Sequence, residues 1–137
     1  MLNQIKIVLV DDHQTVRESW KFLLEEDSRF IVVGQCENGA EAIKTASQLR
    51  PDIMLMDVNM SPVNGFEATE HISLHSPEVK IIGLSANSHP GYANKMMNIG
   101  ARGYVTKNSS FHELTAAIME VYNGGSYLCE EIRQDIP

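Results

Sequence analysis

Five short apolar runs, each followed by a segment whose apolar residues recur at helical spacing, divide the chain into repeated strand-then-helix units. Ile5 to Val10 is apolar except for Lys6 and rich in β-branched residues, as in a strand covered on both faces. From Gln14 to Asp27, the residues Val16, Trp20, Leu23 and Leu24 fall at i, i+4, i+7 and i+8 and predict a helix. Phe30 to Cys36 returns to strand character, and Gly34 leaves its end open. Asn38, with Glu41 three residues later, is a capping-box start for a helix that turns Ala42, Ile43, Ala46 and Leu49 inward and stops at Pro51. Ile53 to Met56 is the third strand, and it ends on Asp57.

The second half repeats the alternation. Gly65 to His75 is a helix ended by Ser76 and Pro77, and Val79 to Leu84 is a strand finishing at Ser85. Pro90 to Ile99, with Tyr92, Ala93, Met96 and Ile99, is a short, weakly amphipathic helix for which Gly100 supplies a C-terminal cap. Gly103 to Thr106 is a brief last strand leading to Lys107. Ser110 and Glu113 form another capping box, opening a helix with Phe111, Leu114, Ala117, Ile118 and Val121 on one face and Asn123, Gly124 and Gly125 at its end. Five such units predict an α/β fold: a doubly wound, parallel five-stranded sheet with right-handed crossovers and helices on both faces.

A length of 137 residues with 43% hydrophobic and 21% charged residues suits one domain with a single core. The formal net charge of -7 works against nucleic-acid binding by this chain alone, because such affinity comes largely from Lys and Arg neutralising phosphates. No apolar stretch approaches the roughly 18 residues of a membrane helix, and the N-terminus lacks the succession of a signal peptide, so a cytoplasmic protein without membrane contact is expected. Cys36 and Cys129 stand far apart, without metal-binding or redox spacing, and read as reduced thiols.

Chemistry enters at the strand ends. In open parallel sheets, ligands gather just beyond the carboxyl ends of the strands. Here the first strand is followed by Asp11 and Asp12, the third by Asp57, while the fourth ends in Ser85 and the fifth leads to Lys107. A single aspartate after a strand is most often a helix cap or a turn residue. Three acids, a hydroxyl and an amine on one sheet edge are a different matter, because clustered carboxylates raise each other's proton affinity unless cations neutralise them. Mg²⁺ suits such a set: it takes oxygen ligands, keeps several waters and commonly uses one or two carboxylates plus phosphate oxygens. Lys107 would be a point charge for the same phosphate.

The Asp11 Asp12 pair, Met56 Asp57 with Gly65 eight residues on, the Ser85 Ala86 step and Gly103 Tyr104 Val105 Thr106 Lys107 occur in an order and spacing that resembles the receiver domain of a two-component response regulator. The resemblance covers nearly the whole chain. It implies the flavodoxin-like strand order 2-1-3-4-5 and a phosphoacceptor role for Asp57, itself the nucleophile toward phosphohistidine on a sensor histidine kinase. It further implies Mg²⁺ held by Asp12 and Asp57, with Asp11 directly or through water and Asn59 through its backbone carbonyl. Ser85, Lys107 and the backbone of Ala86 would hold phosphate oxygens. Tyr104 would be an aromatic switch that turns inward when Ser85 moves. Asn59 and Asn87 lie two past Asp57 and Ser85, where receivers tune phosphate lifetime, or else face solvent neutrally. Such a module is not an enzyme acting on a separate substrate but promotes its own phosphotransfer and dephosphorylation.

Asp11 Asp12 His13 with Val16 Arg17, Val33 Gly34, Glu37 Asn38 Gly39 and Gly124 Gly125 Ser126 Tyr127 Leu128 are similar to the NarL/FixJ branch, whose members usually continue into a LuxR-type helix-turn-helix. The expected organisation is therefore a receiver over residues 1–125 and the start of a C-terminal linker over residues 126–137, as part of a longer transcription regulator. A stand-alone receiver serving as a phosphorelay or interaction module is the alternative. Self-association on phosphorylation is expected through the helix Pro90 to Ile99, the last strand and the helix after Ser110, or else through the first and last helices. Two positions depart from the family pattern: Ser61 precedes Pro62 where a proline is usual, and Asn108 follows Lys107. A cis bond before a non-proline costs about 3 kcal/mol and is not assumed at Lys107–Asn108. His13, His71, His75, His89 and His112 show no metal pattern and read as surface or loop residues. A haloacid-dehalogenase-like phosphatase needs Asp-x-Asp after the first strand, which His13 breaks, and a flavodoxin-like redox carrier needs a phosphate loop that is absent there.

Overall fold

The computed structural model describes residues 3–135. Its elements are β1 (Ile5–Val10), α1 (Gln14–Glu25), β2 (Phe30–Cys36), α2 (Gly39–Leu49), β3 (Ile53–Met56), α3 (Gly65–His75), β4 (Lys80–Ser85), α4 (Pro90–Asn98), β5 (Gly103–Thr106), α5 (Phe111–Tyr122), β6 (Tyr127–Leu128) and α6 (Glu130–Asp135). One parallel sheet runs β2-β1-β3-β4-β5-β6. The predicted order 2-1-3-4-5 is present, but the count of five strands is corrected to six. Tyr127–Leu128 is two residues long and partly buried, too short for any hydrophobic period to announce it, and it is held by backbone pairing to Gly103 and Tyr104. Residues from Ser126 on, expected to begin a linker, are folded through Asp135, with Cys129 and Ile132 completely buried.

The central strands are apolar because helices cover both of their faces: β3 is buried at every position and β1 at every position but Lys6. Pairing of β1 with β2 slips between Ile7 and Val8, where Val32 and then Gly34 are the partners, so Val33 forms a bulge. α1 stops at Glu25 rather than Asp27, because Asp27 turns back to pair with Arg29 at 2.7 Å.

Helix starts follow the sequence only in part. Asn38 accepts the Glu41 amide at 2.9 Å, but the Glu41 carboxylate returns to the Glu37 amide. Ser110 accepts the Glu113 amide, while the Glu113 carboxylate leaves the helix and takes the Tyr127 hydroxyl at 2.9 Å and the Glu130 amide at 2.8 Å. The reciprocal box is at Asn64 and Glu67, which open α3. The peptide Ser61–Pro62 in the loop before α3 is cis. Val63 follows with φ of 62°, and its carbonyl accepts the Gly39 amide.

α3 lies so close to the end of β3 that a Cβ on Gly65 would collide with the carbonyl oxygen of Asp57 and come within 2.7 Å of Val58 Cα. Gly65→Ala is expected to cost about 2 kcal/mol or more in urea unfolding, since backbone must move to admit the methyl. Gly124 has φ of +97° and nothing within 4 Å of an added Cβ, so Gly124→Ala should cost only about 1 kcal/mol of backbone strain. Equal losses for the two variants would contradict this packing.

Candidate functional site

Pairing of Val10 with Met56, Met56 with Gly83 and Ser85 with Thr106 puts the carboxyl ends of β1, β3, β4 and β5 side by side. The ladder continues one residue past the strands: the Asp11 amide donates to Cys36 O, the Asp57 amide to Val10 O and the Lys107 amide to Ser85 O, at 2.8 to 3.0 Å. The functional side chains therefore project from backbone that is itself hydrogen-bonded. Asp57 caps no helix, since Asn64 begins α3; its Oδ1 accepts the Asn59 amide at 3.3 Å.

Lys107 Nζ lies 2.8 Å from Asp11 Oδ2 and 3.6 Å from Asp57 Oδ2. Both carboxylates are buried, at 5% exposure each, whereas Asp12 is exposed. Burial pushes the Asp57 carboxyl above its ordinary range, Asp11 and Asp12 push the same way, and the attraction of Lys107 does not cancel them. At Asp11, burial also acts upward, but hydrogen bonds from Lys107 and the His13 amide outweigh it and hold the carboxyl low. Lys107 loses by burial and gains more from Asp11 and Asp57, so its ammonium is held above the usual lysine value. One ammonium is thus committed to Asp11, and Asp57 is left under-neutralised.

A second chain of contacts leads away from this cluster. Ser85 Oγ accepts the Asn87 amide at 3.0 Å, and the Asn87 carbonyl accepts the Tyr104 hydroxyl at 2.7 Å, so a single residue links the two. Tyr104 is wholly buried; Ala86 and Asn59 are exposed. Asn87 is half-buried; its backbone carries the link, and its side chain accepts the His89 amide.

Of the residues the sequence singled out, Asp11, Asp12, Asp57, Ser85 and Lys107 are gathered at the carboxyl ends of the strands, whereas Tyr104 lies inside β5 and is linked to Ser85 through Asn87. His13, read as a surface or loop residue, is exposed in the loop before α1, but its contacts to the acid pair were not anticipated. His13 Nδ1 lies 3.1 Å from Asp11 Oδ1 and 2.9 Å from Asp12 Oδ1, and one ligand atom from each of these three residues falls within 4.8 Å of the others. The adjacency Asp-Asp-His was the available signal. Arg17 was likewise unassigned; its guanidinium donates to the Asp11 carbonyl and to Gln35 Oε1, pinning the β1–α1 loop to β2. The donor set fits a hard cation. Its acids supply carboxylate oxygens, and Asp12 faces an open hollow shared with Asn59, Met60, Ser61 and Asn64, with room for retained waters.

The family described as response regulator receiver domain matches residues 7–119. The chain is 36% identical over 134 residues to the transcriptional regulatory protein DegU of Brevibacillus brevis, covering 98% of this chain and 57% of that protein. It is 34% identical over 132 residues to the response regulator GacA of Pseudomonas aeruginosa, covering 96% of this chain and 62% of the relative. The chain thus spans about three-fifths of the length of these curated relatives. A crystal structure of a LuxR-family two-component response regulator from an Aurantimonas species superposes with a TM-score of 0.94 at 34% identity, over 98% of this chain and 96% of that one. With the acid cluster, the sheet order and these matches in agreement, the chain belongs to the response regulator receiver domain family, on its LuxR-type branch.

Proposed function

We propose that this receiver accepts a phosphoryl group on Asp57 from a phosphohistidine of a sensor histidine kinase and converts the added charge into a change around Ser85 and Tyr104. The observation that carries the reading is the position of Lys107, bound to Asp11 and within reach of a buried, under-neutralised Asp57. An Asp57 oxygen forms the new P–O bond as the P–N bond to the kinase imidazole breaks, and the product is an acyl phosphate. Asp12, Asp57, Asp11 and the Asn59 carbonyl would hold Mg²⁺. When bound, that ion supplies positive charge against the phosphoryl oxygens. Lys107, the Ser85 hydroxyl and the Ala86 amide would take the remaining oxygens; movement of Ser85 toward them pulls on Asn87 and so on the Tyr104 hydroxyl.

The output we infer is control of a helix-turn-helix DNA-binding domain in a longer cytoplasmic regulator. The charge of -7 leaves DNA binding to such a domain rather than to these residues. No helix among the described residues is long and apolar enough to cross a membrane. Self-association on phosphorylation fits α1 and α5 better than the face of α4 and β5, against which α6 already packs. Phe22 stands 67% exposed on α1, and Trp20 of α1 stacks on Phe111 of α5 at 6.4 Å.

With Mg²⁺ and acetyl phosphate, the intact mass should rise by one phosphoryl group, and excess chelator should suppress the gain. Asp57→Asn should prevent it; full labelling of that variant would assign the acceptor elsewhere. A second expectation concerns stability. An acid whose folded pKa is raised destabilises the fold while ionised, so in metal-free buffer at neutral pH Asp57→Asn should melt above the wild type. The advantage should shrink as pH falls through the raised Asp57 pKa and also when Mg²⁺ is added to both proteins. A variant that melts below the wild type at pH 7 without metal would contradict the repulsion.

A further inference from the structure

The segment β6–α6 meets the rest of the domain on three sides. The Cys129 amide donates to the Tyr104 carbonyl and the Tyr127 amide to the Arg102 carbonyl, both at 3.0 Å, so β6 is bonded to the strand that carries the tyrosine. Glu113 of α5 anchors the turn into α6 through the Tyr127 hydroxyl and the Glu130 amide. α6 then lies back against α4 and β5.

The Tyr104 ring occupies the space between β4 and α4. A Cβ on Gly83 would come within 2.9 Å of its Cδ2 and 3.1 Å of Met96 Cε. α6 packs against both α4, which lines that slot through Met96, and β5, which carries the tyrosine. In this structure the inward ring, bonded through its hydroxyl to the Asn87 carbonyl, occurs together with the docked segment. The apolar part of α6 itself is small. α6 has six residues, five of them Glu130, Glu131, Arg133, Gln134 and Asp135, so Ile132 is its apolar contribution. Glu131 Oε1 is buried without a hydrogen-bond partner among the described residues, a cost that release to water would remove.

We propose, resting on the receiver reading above, that β6–α6 is an intramolecular reader of Tyr104: docked with the ring inward, undocked with the ring outward. Phosphorylation of Asp57, acting through Ser85 and Asn87 on the tyrosine hydroxyl, tightens the docking. By linkage, an undocked segment weakens retention of the inward state. The change at the active site is thereby handed to the C-terminal end of the domain.

Cys129, fully buried in the docked segment, is the probe, and Cys36, buried beside Thr45 on the far side of the sheet, is the internal reference. Wild-type protein is alkylated with iodoacetamide, with and without beryllofluoride and Mg²⁺, and each cysteine is followed by peptide mass spectrometry. The mimic should slow Cys129 relative to Cys36 by about fivefold or more, the lower end of typical allosteric coupling. Equal or faster Cys129 labelling, in protein whose Asp57 takes a phosphoryl group from acetyl phosphate, overturns the reader and leaves the receiver reading standing. Failure to take up the phosphoryl group overturns both.

Discussion

A single ammonium, that of Lys107, lies between two buried carboxylates, and the rest of the molecule is arranged to keep it there. Asp11 holds it at 2.8 Å and Asp57 waits at 3.6 Å. On the proposed function, this imbalance is what would make the site reactive toward a phosphoryl group. A buried acid that is already fully paired gains little from a cation or from an electrophile that consumes its charge, whereas Asp57 gains from either. Its neighbour Asp11 takes the structural share of the work, drawing both the lysine and the His13 amide.

The fold serves this arrangement by making strand ends, not loops, carry the reactive groups. Each of Asp11, Asp57 and Lys107 is fixed by a backbone hydrogen bond to the neighbouring strand, one residue beyond regular pairing. Gly65 lets α3 press directly on the Asp57 carbonyl, and Arg17 ties the Asp11 carbonyl toward β2. On the proposed function, reorganisation is left to the β4–α4 loop, where the contacts are a few hydrogen bonds through Asn87 rather than packed core.

Most of this was legible in the residues because the signals were strong and local. Buried parallel strands are apolar throughout, so Ile53 to Met56 announced itself, and a carboxylate at its end had to be explained. What stayed hidden depends on partners distant in the chain. The strand Tyr127–Leu128 is shorter than any period and exists because β5 offers it an edge. Glu113 was readable as half of a capping box, but its carboxylate goes to residues 14 and 17 positions away. His13 lay beside Asp11 and Asp12 in the chain, yet no rule of spacing says that its ring folds back onto both. Asn87 acts through its amide and carbonyl, which every residue possesses.

The most direct test is the titration of the Asp57 carboxyl carbon by NMR, in metal-free protein and again with Mg²⁺. The account predicts a midpoint above the ordinary aspartate value of 3.8 without metal, while Asp11 titrates below it, and a fall in the Asp57 midpoint once Mg²⁺ is present. An Asp57 that titrates at or below 3.8 in the absence of metal, or that ignores Mg²⁺, would contradict it.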